Sequence, residues 1–116
     1  MDIRTKRAYE TPARDDGVRI LVDGIYPRGV SKEDLAIETW LKDVAPSDTL
    51  RRWFNHDPEK WDEFRQRYFQ ELREHPQAWE PILEFAADSP VTLVYGAKNE
   101  EHNNAVALKE FLEARS

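Results

Sequence analysis

The sequence predicts a small α/β protein with a mostly parallel sheet of about three to four strands, packed by about four to five helices. Two runs of β-branched and aliphatic residues, 18–25 and 91–95, are nearly continuous, as in strands covered on both faces. Three amphipathic stretches lie between these runs. Parallel neighbours require such a crossover, because a hairpin cannot join them. The charged, alternating segment 3–10 is typical of an exposed edge strand at the N-terminus.

The strands and turns follow in a simple order. A loop at 11–17 separates the edge strand from the central strand 18–25, and the segment 26–29 contains Pro and Gly, which force a turn. Ser31 resembles a helix N-cap, but the apolar pattern after it fits a helix and a strand equally. We interpret 37–41 as a short strand.

The helices are predicted from caps and apolar stripes. Ser47 is a suitable N-cap for the first, and Pro58 fits the first position of the second, which ends near Glu74. Another helix opens at 75–76 and stops at 88–90. We expect the last one over 100–114, with its apolar residues on one face.

Composition narrows the classes of function. A length of 116 residues is typical of one domain, which spans 1–116. The net charge of −6 weighs against nucleic-acid binding. The chain has no cysteine, and no apolar run approaches the ~20 residues of a membrane span. We therefore expect a cytoplasmic protein without membrane association.

No cofactor or metal ion is predicted. The three histidines are scattered, without the spacing that places two ligands on one helix face. The four glycines form neither the dinucleotide-binding nor the phosphate-loop pattern.

Polar residues follow both central strands, where ligands bind in open α/β sheets. In the functional interpretation Arg28 and Lys98 bind an anion and His102 transfers protons. In the structural interpretation these residues cap turns and helix ends. The candidates in the two segments are Asp23, Tyr26, Arg28, Lys98, His102 and Asn103.

A third segment, 42–57, adds the ligand-binding candidates Lys42, Ser47 and Arg51. Its His56 is a catalytic candidate, as are Asp23 and His102. If Asp57 oriented the imidazole, His56 could act as a base toward Ser47 or a water. We favour the structural alternative, in which Asp57 is the N-cap of an ordinary turn between helices.

Several motifs in order resemble one known family. The segments 22–32, 40–47, 50–58 and 93–105 are similar to those of the YeaO-like branch of the domain of unknown function 488, found in bacteria and archaea. The resemblance covers about 18–112, which leaves 1–17 as the edge strand and its loop.

The resemblance implies a compact α/β fold without an agreed activity. The family's first loop usually reads D-R-x-W-P-R-G, whereas this chain has Gly24 in place of the Arg and Tyr26 in place of the Trp. Arg28 is then the main cation of that loop. The family's polar motif positions fall on Asp23, Pro27, Arg28, Gly29, Lys42, Pro46, Ser47, Arg51, His56, Asp57, Arg67, Tyr68, His102 and Asn103.

Two functional hypotheses remain from the sequence. The first is a domain that binds a small anionic or polar ligand in a crevice at the carboxyl ends of the strands, with catalysis left open. The alternative is a non-catalytic interaction module, monomer or homodimer, in which bulky residues such as Tyr26, Phe69 and Val106 need cover from a partner.

Overall fold

A computed structural model describes residues 1–115 and contains a four-stranded, fully parallel sheet. The strand order is β1-β4-β2-β3. Val91 pairs with both Ile3 and Val18, so β4 lies in the centre beside β2. This sheet and its helices confirm the predicted fold class. The strands are β1 (Ile3–Arg7), β2 (Val18–Leu21), β3 (Thr39–Trp40) and β4 (Val91–Tyr95).

Five α-helices accompany the sheet, and the caps named from the sequence begin two of its helical segments. The Ser47 hydroxyl accepts from the Leu50 N–H at 3.1 Å, and the Asp57 carboxylate accepts from the Glu59 N–H at 3.0 Å. The helices are α1 (Lys32–Leu35), α2 (Asp48–Phe54), α3 (Trp61–Glu74), α4 (Pro76–Asp88) and α5 (Asn104–Glu113), with short 3-10 turns at Arg14–Asp16, Lys42–Val44 and Pro58–Lys60.

Several element boundaries differ from the prediction. β1 ends at Arg7 and not at residue 10, and β3 spans Thr39–Trp40 and not 37–41. β2 ends at Leu21, four residues early, because the chain turns at Asp23 and leaves Ile25 exposed. α5 begins at Asn104, whereas the sequence predicted a start at residue 100. The Asn99 side chain accepts hydrogen bonds from two backbone N–H groups of the preceding segment, which holds it as a turn.

The two faces of the sheet carry different layers. Ile20 and Leu93 face the larger core, which α2 to α5 cover. Leu21 and Val94 face a smaller cluster that includes Leu35 of α1. The loop after β2 therefore leads to one face and the loop after β4 to the other. Within residues 1–115, no helix is long and apolar enough to span a lipid bilayer.

Candidate functional site

The carboxyl ends of β2 and β4 are neighbours, and their loops depart toward opposite faces of the sheet. Such a point in an open α/β sheet leaves a crevice beyond the strand ends. The Gly96 N–H, directly after β4, donates to Asp23 Oδ2 at 2.8 Å. The two loops that the sequence singled out thus meet.

The crevice at this point has a volume of about 430 Å³. Small apolar and aromatic side chains make most of its wall, and a few charged groups interrupt them, as is typical of small-molecule sites. Its lining consists of Asp23, Gly24, Ile25, Tyr26, Pro27, Arg28, Ala45, Pro46, Asp48, Arg51, Phe54, His56, Phe64, Gly96, Ala97, Asn103 and Asn104.

Asp23 connects the elements around the crevice. Besides the Gly96 bond, Oδ1 accepts from the Asn104 side-chain amide at 3.0 Å, and the backbone carbonyl accepts from Trp40 Nε1 at 2.6 Å. A β-carbon at position 96 would lie 3.3 Å from Oδ2, so glycine permits this close approach. Asp23 therefore fixes β2, β3, β4 and α5 relative to one another.

The environment of Asp23 shifts its acidity. Burial raises the pKa of the Asp23 carboxyl above its usual range, against the hydrogen bonds from Gly96 and Asn104 and the nearby His56, which lower it. A partly buried carboxylate at the wall of a crevice is a group that a bound cation or hydrogen-bond donor would stabilise.

Two arginines bring positive charge to the crevice. Arg51 lies 3.4 Å from Asp48 in an exposed pair, and such pairs are weak. Arg28 is exposed, and none of the residues 1–115 accepts a hydrogen bond from it or forms an ion pair with it. Its guanidinium is free to bind an anion.

The loop that carries Arg28 also contains an exposed apolar side chain and a buried hydroxyl without a hydrogen-bond partner. Ile25 is 63% exposed at the crevice. The Tyr26 hydroxyl is buried without a hydrogen-bond partner, although its ring contacts Trp40 edge-on with centroids 5.7 Å apart. A buried polar group without a partner is costly, so this segment is not optimised for stability alone.

His56 also lines the crevice. It has φ +56°, directly after Asn55 at +46°, and consecutive left-handed residues other than glycine are uncommon. The carboxylate of Asp57 points to the Glu59 N–H and serves as a cap, which is the structural interpretation favoured from the sequence.

Four sequence candidates lie outside the crevice lining. The Lys42 ammonium sits 4.7 Å from the centre of the Trp40 ring, and the Ser47 hydroxyl donates to Glu71 at 2.6 Å. Lys98 is exposed on the far part of its loop. The His102 ring packs against an indole, with centroids 4.9 Å apart. The geometry therefore separates Ser47 and His102 from Asp23.

Asn103 lines the crevice, but its side chain is occupied by the fold. Its Oδ1 accepts from the Val106 N–H at 2.9 Å, and its Nδ2 donates to the Asn99 carbonyl at 2.9 Å. It is the N-cap of α5.

The sequence candidates omitted several lining residues. Asn104 holds the Asp23 carboxylate, and Asp48 pairs with Arg51 at the wall. The doubled Asn at 103–104 was a usable signal, because one amide suffices for a helix cap and the second needs another partner. Nothing in the spacing marked Phe54, whose place depends on helix packing.

A second groove of about 390 Å³ lies between the 42–47 segment and helices α3 and α4. Its polar groups are mostly acidic, and Glu71 accepts both the backbone N–H and the hydroxyl of Ser47. In the part of the chain described, no three His, Asp or Glu side chains come together in a way that could hold a metal ion.

A family model and several curated relatives place this chain in the same family. A family model described as "Inactive DUF488-N3 subclade" matches residues 2–116. The uncharacterised protein YeaO of Escherichia coli is 40% identical over 112 residues, which cover 97% of both chains. Uncharacterised proteins of Mycobacterium bovis and Mycobacterium tuberculosis are each 40% identical over 113 residues, covering 97% of this chain and 95% of theirs. No solved structure matches the chain.

Proposed function

We propose that this chain, which belongs to the YeaO-like DUF488 family and matches its inactive DUF488-N3 subclade, is a cytoplasmic domain that binds a small ligand with an acidic group. The ligand would occupy the crevice at the carboxyl ends of β2 and β4. One observation carries the proposal. Arg28 lies beside a mostly apolar cavity that is large enough for a small molecule, and among the described residues that line this cavity it is the only loop cation without a partner.

Three features support binding without catalysis. The subclade whose family model matches this chain is described as inactive. The Ser47 hydroxyl donates to Glu71 and does not line the crevice, so it is not poised as a nucleophile. Among residues 1–115 no carboxylate accepts a hydrogen bond from His56, whereas a catalytic imidazole is normally oriented by such a partner.

A thermal-shift screen tests the proposal. Purified protein is heated with phosphates, nucleotides, carboxylates, amino acids and sugars, because a ligand of the native state raises the unfolding midpoint by mass action. We expect hits among compounds with an acidic group, and we expect Arg28→Ala to abolish each of them.

Lys98→Ala is the matched control, since Lys98 is an exposed cation on the neighbouring loop and lies outside the crevice. The control should retain the full shift. A screen without any hit would contradict the proposal, as would hits that Lys98→Ala abolishes and Arg28→Ala leaves unchanged.

The alternative of an interaction module was based on bulky side chains that would need cover from a partner, but the chain itself covers these side chains. Tyr26 packs against Trp40, and Phe69 packs against Phe111 with ring centroids 5.8 Å apart. Val106 is also partly buried. The large apolar residues left exposed are Met1, Tyr9 and Ile25, and Ile25 borders the crevice.

A further inference from the structure

We infer that the ligand of the crevice carries an amino group together with its acidic group, as a free amino acid does. This inference rests on the proposed function and adds the chemical class of the ligand. The lining contains two guanidiniums, Arg28 and Arg51, and two carboxylates, Asp23 and Asp48. A balanced lining suits a ligand whose own charges balance. A polyanion such as a nucleoside diphosphate would face the repulsion of both carboxylates.

Asp23 has unused capacity to accept hydrogen bonds. Each carboxylate oxygen can accept two hydrogen bonds, whereas Oδ2 of Asp23 accepts one from Gly96 and Oδ1 accepts one from Asn104. The same bonds hold the carboxylate in place, so a ligand would not have to order it. An ammonium group would form charge-assisted hydrogen bonds there.

The burial of the Asp23 carboxylate also favours binding of a cation beside it. A charge withdrawn from water is costly unless it is paired, and the groups that donate to the Asp23 carboxylate, the Gly96 backbone N–H and the Asn104 side chain, are neutral amides. The raised pKa of the Asp23 carboxyl reflects that cost. A ligand ammonium would offset it, whereas a second anion at the same place would increase it.

The acidic group and the body of the ligand have their own partners. Arg28 has no partner among residues 1–115, and a guanidinium binds a carboxylate with two parallel hydrogen bonds. Arg51 is partly neutralised by Asp48 and is the weaker choice. The walls from Ile25, Pro46 and Phe54 would contact an apolar side chain.

The first experiment uses the unaltered protein. Calorimetric titration with the twenty protein amino acids identifies the tightest binder, which is then compared with its desamino acid and with its carboxamide. We expect each analogue to bind at least about tenfold more weakly, because each loses one charge-assisted contact. A desamino acid that binds within about twofold of the amino acid would overturn the inference.

The second experiment separates the two carboxylates. Asp23→Asn should weaken binding of the amino acid at least about tenfold and should leave binding of the desamino acid almost unchanged. Asp48→Asn, at the other lining carboxylate, should weaken binding of the amino acid less than Asp23→Asn does. Asp43→Asn, at an exposed carboxylate outside the crevice, is the matched control and should change the binding of neither compound by more than about twofold. The assignment to Asp23 would be wrong if Asp48→Asn gave the larger loss. The comparison of the amino acid with its two analogues uses the unaltered protein, so it still tests the inference if the Asp23→Asn variant does not fold.

The outcomes also distinguish this inference from the proposed function. If inorganic phosphate or simple carboxylates bind in an Arg28-dependent manner and no amino acid does, the proposed function stands and the inference is wrong. If no compound in the screen binds, both are wrong. Arg28-dependent binding of an amino acid, with the losses given above, supports both.

Discussion

The two loops that meet at the crevice are held in different ways. The backbone of the loop after β4, 96–103, is held by hydrogen bonds. The Asn99 and Asn103 side chains bind it from within the loop, and Arg7 Nε of β1 donates to the Ala97 carbonyl at 2.9 Å. In the loop after β2, 23–30, Asp23 makes the hydrogen bonds to the rest of the fold and the Tyr26 ring packs on Trp40. The same loop carries an exposed Ile25, a Tyr26 hydroxyl without a partner and a free Arg28. The first loop is part of the scaffold.

The difference indicates where function lies. Groups that stabilise nothing in the folded chain are explained more readily by a ligand than by the fold, and binding residues commonly sit on loops that a rigid scaffold positions. Variants in the scaffold loop should therefore change stability, and variants in the loop after β2 should change binding.

The largest expected change in stability is for Asn103→Ala. This side chain is 2% exposed, caps α5 and holds the Asn99 carbonyl, so its removal should lower the free energy of unfolding by about 2 kcal/mol. Urea denaturation measures the change, with Lys98→Ala as the control on the same loop. A loss below about 0.5 kcal/mol would show that this loop is not the scaffold.

Tyr26→Phe should act in the opposite direction. It removes a buried hydroxyl without a partner and keeps the ring against Trp40, so stability should rise by about 1 kcal/mol. The same denaturation experiment tests it. A loss of stability would mean that the hydroxyl has a partner in solution and that the two loops are less different than described.

A smaller effect should appear in the pH dependence of stability. The pKa of Asp23 is raised on folding by burial, so the folded state holds this proton more tightly. The Asp23 contribution is thus fully present below the unfolded pKa and is lost as pH rises through the folded pKa.

The contribution of Asp23 can be isolated by subtraction. The stability of the wild type minus that of Asp23→Asn should fall as pH rises from about 3 through the raised pKa of Asp23 and should then level off. His56 and Tyr68 also interact electrostatically with Asp23, so His56→Gln is measured in parallel. A difference that increases with pH would contradict the burial of this carboxylate.

The smallest expected effect is that of Arg28→Ala on stability. Because Arg28 has no partner among residues 1–115, the free energy of unfolding should stay within about 0.5 kcal/mol of the wild type. Thermal and urea unfolding without ligand measure it. A loss above about 1 kcal/mol would assign Arg28 to the scaffold.

Much of the fold could be read from the sequence because its signals are local. The β-branched runs became β2 and β4, and Ser47, Asp57 and Pro58 lie at the helix starts where their chemistry placed them. Both strand-end loops were also identified in advance, since parallel strands place their carboxyl ends on one edge.

The side-chain arrangement of the site could not be read in the same way. Lys98 and His102 were candidates because they follow the second central strand, but α5 begins four residues later than expected and neither residue lines the crevice. The contact between Asp23 and Asn104 joins positions 81 residues apart, and periodicity carries no information about such pairs.

The central claim is that the loop after β2 binds the ligand and that the loop after β4 supports the site. Backbone amide NMR with added phosphate, simple carboxylates and amino acids tests this claim most directly. We expect saturable shift changes at 23–26, Arg28, His56 and Gly96, and little change at 98–102 or in the second groove beside Glu71. Changes centred on 98–102, or none anywhere, would contradict it.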